Sequence, residues 1–291
     1  MPFFSAGYFA GYRSLEFHRM LLEDSVRTNA YREAIYKTVK KGDTVIDLGT
    51  GTGILSFFSY KAGAKKIYAI ECADVIEVAK QIAKENKMAD KIIFLNANSR
   101  LVRIPERVDV LVSDCTGHYV FGGNMISAVA DIRDKFLKQD GCVMPNYISM
   151  YLVPVDSVSH YNYVNYWKGN LYGIDFTPAQ KIANNNVYFT TFDAKSLICA
   201  PANICNINLS KDFPNEMMNV KVDFLIPHSC RMHGLCGWFD VRLCNRVHFS
   251  TSPYNKTTGW KQLFFHLEEE ISKANDFGEY DKIFMESEEN K

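Results

Sequence analysis

The chain has 291 residues, enough for one large domain or two ordinary ones with a full core. Hydrophobic residues make up 47% and charged residues 23%, as in a soluble globular protein, and 33 Lys+Arg balance 33 Asp+Glu to a formal net charge of zero. That balance removes the electrostatic case for a nucleic-acid or anionic-membrane partner, and no segment approaches the ~20 apolar residues of a membrane span.

The opening MPFFSAGYFAGY is aromatic but lacks a basic n-region and a long apolar run, which argues against a signal peptide. Over residues 13–40, Leu15, Leu22, Val26, Ala30, Ala34 and Ile35 recur three and four apart, predicting one or two helices with polar outer faces. DTVIDLGTGTG changes the grammar: a β-branched run ends in a glycine-rich turn, and ILSFFSYKAGA continues as a helix closed by Gly63. KKIYAIE reads as a second strand, VIEVAKQIAKENK as a helix, KIIFLNA as a third strand and VDVLVSD as a fourth. The helix MISAVADIRDKFLKQDG and the strand CVMPNYISMYLVPV follow. Strands alternating with helices predict a parallel sheet covered on both faces. After about Val155 the alternation stops, and NVKVDFLI and GLCGWFDVRL read as strands of an antiparallel β domain. The stretch 171–198 looks partly helical, an excursion from that domain, and DFGEYDKIFMESEENK thins into a charged tail. The eight cysteines include no CxxC pair. Their scatter predicts no metal centre, and reduced, mostly buried thiols in a cytoplasmic protein.

Gly49, Gly51 and Gly53 lie between the first strand and its helix, where a ligand can approach backbone atoms that side chains would block. Glu71 ends the second strand, where a carboxylate can accept both hydroxyl hydrogens of a ribose. A glycine-rich turn alone is shared with nicotinamide enzymes. With Asp47 on the first strand, the combination resembles S-adenosylmethionine-dependent methyltransferases more than dehydrogenases.

The resemblance narrows in YFAGY, HRMLLEDSVRTNAYREAI, DLGTGTGILSFFSYKAGAKKIYAIE, DKFLKQDGCVMPN and STSPYNKTTGWKQLFFHLEE, which look like the protein arginine methyltransferase family in order, to about Glu270. It implies an α/β architecture: an N-terminal helical cap over 1–40, a Rossmann-like cofactor domain over 41–152, and a β-barrel-like domain over 153–291. A helical dimerisation arm at about 171–198, opening with YGID, implies a homodimer, and a heteromer would look the same. The implied cofactor is S-adenosyl-L-methionine, with S-adenosyl-L-homocysteine as product. By resemblance Arg27 pairs with the cofactor's carboxylate, Glu71 holds the ribose, and Asp47, Gly49 and Gly51 shape the methionine side. Tyr8, Phe9 and Tyr12 close the lid, and His18, Cys72, Ser99, Arg100 and Asp114 complete the cofactor set. Arg100 departs from the family's glutamate near the adenine amino group, and a cation cannot accept that hydrogen bond.

On the acceptor side the family uses two glutamates to neutralise and aim a guanidinium. In SDCTGHYVFGGNM the first position is Asp114, one methylene shorter, and the second is Gly123; the family's Thr-His-Trp loop reads Thr258, Gly259, Trp260. Asp114, His118 and Tyr119 are the catalytic candidates. His118 titrates near neutral pH, Cys115 adds a thiol, and Gly122 and Gly123 open room. Three functions follow: a methyltransferase of altered acceptor, a small molecule or peptide; a catalytically silent partner of an active relative; or an arginine methyltransferase with a rebuilt carboxylate site.

Overall fold

A computed structural model describes residues 14–114, 125–211, 221–226 and 229–273. The chain divides into two compact units. The first takes in Met1–Ile148, Ile207–Pro214 and Asp240–Phe249, and the second Ser149–Asn206, Asn215–Phe239 and Ser250–Lys291.

The first unit opens with α1 (Leu15–Glu23) and α2 (Ser25–Thr38), so the predicted helical stretch is two helices. Asp24 separates them and caps the second, its carboxylate accepting the Arg27 backbone N–H at 3.1 Å. Two residues expected on the apolar face are exposed instead, Leu15 and Leu22. The buried face of α2 is Arg27, Ala30, Tyr31, Ala34 and Ile35, and burying a cation there makes the helix weakly amphipathic in sequence.

Five parallel strands follow, β1 (Thr44–Leu48), β2 (Lys66–Glu71), β3 (Ile92–Asn96), β4 (Val108–Ser113) and β5 (Leu137–Met144), in the order β3-β2-β1-β4-β5. Central β1 is buried at every residue, as expected of a strand covered on both faces. Helices α3 (Ile54–Ala62), α4 (Ile76–Glu85) and α5 (Met125–Phe136) supply the crossovers. Helix α5 ends five residues before the predicted Gly141, because Leu137 onward is taken up by pairing with β4, Leu137 opposite Val108 and Cys142 opposite Val110. Gly141 suits the extended path, since a Cβ there would lie 2.7 Å from Leu137. The long strand predicted next breaks at Pro145, which has no N–H to donate, into β5 and β6 (Tyr147–Val155).

Beyond β6 come α6 (Val158–Val164), the short hairpin β7 (Asn170–Leu171) and β8 (Ile174–Asp175), α7 (Thr177–Asn184) and β9 (Val187–Thr190). The excursion therefore starts earlier than 171, and its end returns to the sheet as β9, antiparallel to β13 (Gln262–Lys273). With β10 (Ala202–Asn208) and β11 (Cys230–Arg242), these strands form an antiparallel sheet ordered β10-β6-β11-β13-β9, and β12 (His248–Ser250) pairs with β11. Residues 221–226 keep the predicted alternation without becoming a ladder strand. Val222, Phe224 and Ile226 enter the core with Met232 and Leu235, while Leu225 faces out.

The expectation of reduced, mostly buried thiols is corrected. Cys142 and Cys244 are joined in a disulfide, because β5 and the segment after β11 bring together residues 102 apart in sequence. Of the free cysteines described, Cys205 and Cys236 are buried and Cys72 is exposed.

Candidate functional site

The site grows from the carboxyl ends of β1, β2 and β4. The backbone N–H groups of Gly49 and Thr50 each donate to Ile70 O at 2.9 Å, folding the glycine-rich turn back over the end of β2. That brings Glu71 against the turn. Its Oε2 accepts Gly51 N–H at 3.1 Å, and its Oε1 accepts the N–H groups of Cys72 at 2.8 Å and Ala73 at 2.9 Å. A fixed carboxylate at a strand end is thereby held as an acceptor beside a turn that lacks side chains.

Gly51 has φ +54°, and a Cβ built on it would fall 2.7 Å from Cε1 of buried His18 on α1. Glycine is required twice over there, by backbone conformation and by close approach. Asp47 lies fully buried beneath the turn, its Oδ2 accepting the hydroxyls of Thr50 at 2.6 Å and Ser56 at 2.7 Å. Burial pushes this carboxyl up to about 6, and the two hydroxyls offset only part of that rise. Its other oxygen, Oδ1, is buried with no hydrogen-bond partner among the described residues.

Helix α2 supplies the opposite charge. Arg27 is 5% exposed, a buried cation and not a surface one. Its guanidinium pairs with Asp114 Oδ2 and donates to Leu21 O and, at 3.2 Å, to Thr28 Oγ1. One turn later Tyr31 donates its hydroxyl to Ser113 O at 2.9 Å, and Ser113 Oγ donates to Leu48 O at 2.7 Å. Asp114 is thus held at the end of β4, its Oδ1 buried without a hydrogen-bond partner among the described residues.

The structure brings together His18, Arg27, Asp47, Gly49, Gly51, Glu71 and Asp114 in the first unit, with Cys72 exposed beside Glu71. Ser99 and exposed Arg100 lie on a 3-10 turn after β3, whose Asn96 pairs with Glu71 and whose Ala97 N–H donates to Glu71 O at 3.0 Å. Tyr8, Phe9, Tyr12, Cys115, His118, Tyr119, Gly122 and Gly123 lie outside the described residues. In the second unit Thr258 is buried and Trp260 packs edge-on against Phe239, centroids 5.7 Å apart. Sequence reasoning missed Thr50, Ser56, Tyr31 and Ser113. The hydroxyl three residues after Asp47 is a detectable signal, a spacing at which side chains of a turn bond each other; Tyr31 carries no such signal.

Comparison with known proteins agrees with this geometry. The model for the arginine methyltransferase oligomerization subdomain matches residues 147–289, and that for ribosomal protein L11 methyltransferase matches 28–144. The chain is 33% identical over 283 residues to protein arginine N-methyltransferase 6 of Xenopus tropicalis, covering 92% of this chain and 83% of the relative. It is 31% identical to protein arginine N-methyltransferase 1 of Chlamydomonas reinhardtii, covering 92% and 80%. The Trypanosoma brucei PRMT1 enzyme–prozyme complex with AdoHcy contains a chain that superposes with TM-score 0.85 at 24% identity, over 91% of this chain and 86% of that one.

Proposed function

The chain belongs to the protein arginine methyltransferase family, and from that premise we propose an S-adenosylmethionine-dependent methyltransferase whose acceptor is not an ordinary protein arginine. The donor side fits its cofactor. Glu71 offers carboxylate oxygens for a ribose, the Gly49–Gly51 turn leaves room at the backbone, and Arg27 offers a fork for a carboxylate. His18 packs against that turn, and Ser99 and Arg100 follow on the strand next to Glu71. When bound, S-adenosylmethionine supplies an activated methyl group. The residues then orient donor and acceptor in line, and that positioning supplies much of the rate.

The observation that carries the altered acceptor is the charge count at Asp114. Its carboxylate is already compensated by Arg27, and Gly123 offers no second one. A guanidinium seated there would share the single carboxylate of Asp114 with Arg27, where the family's two glutamates supply a pair, at a cost in binding. A small molecule or peptide presenting an uncharged nucleophile avoids that cost, with His118 and Tyr119 completing the candidate acceptor loop. The test is transfer of radiolabelled methyl to an arginine-glycine peptide by wild type and Gly123→Glu. The expected result is transfer by Gly123→Glu alone. Equal transfer by wild type would establish an arginine methyltransferase with a rebuilt carboxylate site instead.

The protein's partner is a second copy, bound through the 158–190 excursion, where Tyr163 is 71% and Tyr172 95% exposed within the matched oligomerization subdomain. We place the homodimer in the cytoplasm; five described cysteines are free thiols, against one bonded pair, Cys142 and Cys244. A heteromer with an active relative is the second reading, and exposed Arg100, where adenine would need an acceptor, favours it.

A further inference from the structure

Helix α2 touches two consecutive residues at the end of β4. Arg27 meets the Asp114 carboxylate and Tyr31, one helical turn on, meets the Ser113 carbonyl at 2.9 Å. Residues i and i+4 share a helix face, so the two contacts form one grip. Ser113 in turn holds Leu48 O, the residue that opens the glycine-rich turn, at 2.7 Å. Three parts meet at this residue: the cap helix through its carbonyl, the cofactor turn through its hydroxyl, and the acceptor-side carboxylate through the peptide that follows. Every member is buried apart from Asp114, which is 15% exposed at its side chain. The ring of Tyr31 is anchored separately, against Phe249 with centroids 6.2 Å apart.

We propose that Tyr31 is a positioning residue: by fixing the Ser113 carbonyl it sets the register of Asp114 against Arg27, and so the direction in which Arg27 presents its fork to the cofactor's carboxylate. The inference rests on the cofactor reading above. It accounts for a buried hydroxyl one turn beyond Arg27 on the same face of α2, within reach of the end of β4. A phenylalanine would fill the same core and leave the grip with a single point. The backbone on which Asp114 sits would then lose one of its restraints, keeping the β1 pairing and the hydroxyl bond of Ser113, and the carboxylate would be freer to rotate away from Arg27. Tyr31 touches neither donor nor acceptor itself and acts through Asp114.

A double-mutant cycle tests this, with S-adenosylhomocysteine affinity measured calorimetrically for wild type, Tyr31→Phe, Asp114→Asn and the double variant. Thermal unfolding of each variant confirms folding. Tyr31→Phe is expected to weaken binding about fivefold in the wild-type background and by less than about twofold when Asp114 is already asparagine. A merely structural tyrosine would cost the same in both backgrounds, and that additive result would overturn the proposal. A Tyr31→Phe variant binding as tightly as wild type would also overturn it. Failure of wild type itself to bind S-adenosylhomocysteine would sink the cofactor reading and this proposal together, and is distinguishable from either result. Ser113→Ala, expected to weaken binding in the same non-additive way, keeps the test alive if Tyr31→Phe does not fold.

Discussion

The two units place polar groups in the core for opposite purposes. In the first, Asp47, Arg27 and Glu71 gather where β1, β2 and β4 end, Asp47 and Glu71 bonded to the glycine-rich turn and Arg27 to Asp114. In the second, two histidines are tied into the unit's own framework. Nδ1 of His233, which is 1% exposed, accepts Ser157 N–H at 3.1 Å at the start of α6, and His160 bridges Ser157 Oγ at 2.6 Å and Thr190 Oγ1 at 2.8 Å. The difference follows from sheet type. Parallel strands all end on one edge, where loops gather side chains around a common point. An antiparallel sheet spreads its turns over both edges and spends its buried polar groups on joining elements.

The sharpest way to break this contrast is to remove the first unit's fixed charges. Glu71→Ala and Arg27→Ala should each weaken S-adenosylhomocysteine binding about 100-fold in the molecules that remain folded, as expected for charge-assisted hydrogen bonds, beyond the stability lost by leaving buried Asp114 or three backbone N–H groups without their partner. Large unfolding with intact affinity in folded molecules would make these residues structural and erase the distinction.

A smaller effect concerns Asp47, whose carboxyl is pushed up to about 6 by burial. The folded state holds a proton that the unfolded chain releases near 4. This contribution is therefore fully present below pH 4 and is lost as pH rises through about 6. Asp47→Asn should stabilise the protein near neutral pH, on the order of 2 kcal/mol, and flatten that slope in urea titrations. It should also reduce cofactor affinity, the trade expected of a group retained for function.

The smallest effect has the opposite sign and lies in the second unit. His266 is depressed to about 4, first by burial and then by the charge of Lys168. The unfolded chain takes up a proton near 6.5, so this contribution is present above that pH and is lost as pH falls toward 4. Hydrogen exchange on β13 should quicken over that window in wild type and much less in His266→Gln. Matching slopes in the two variants would show that the second unit does not sense pH through this ring.

Much of the fold was legible because its signals are local. β-branched runs, the glycine-rich turn and helical spacing each report on a few neighbouring residues. Errors fell where distant pairing overrode them. Leu137 to Gly141 reads as helix but pairs with β4, and Leu15 and Leu22 read as a buried face but are exposed. Within the site, Glu71 and the glycines were visible because a strand-turn-helix unit needs them at set spacings.

By itself the sequence determined the order of strands and helices and the glycine turn with its acid. The tertiary structure alone decided that Arg27 meets Asp114, 87 residues away, that Tyr31 grips Ser113, 82 residues away, and that burial pushes the Asp47 carboxyl up to about 6. The reason is physical: backbone preferences act over a few residues, whereas a buried charge or hydroxyl finds its partner through the strand ends that the sheet order β2-β1-β4 brings side by side.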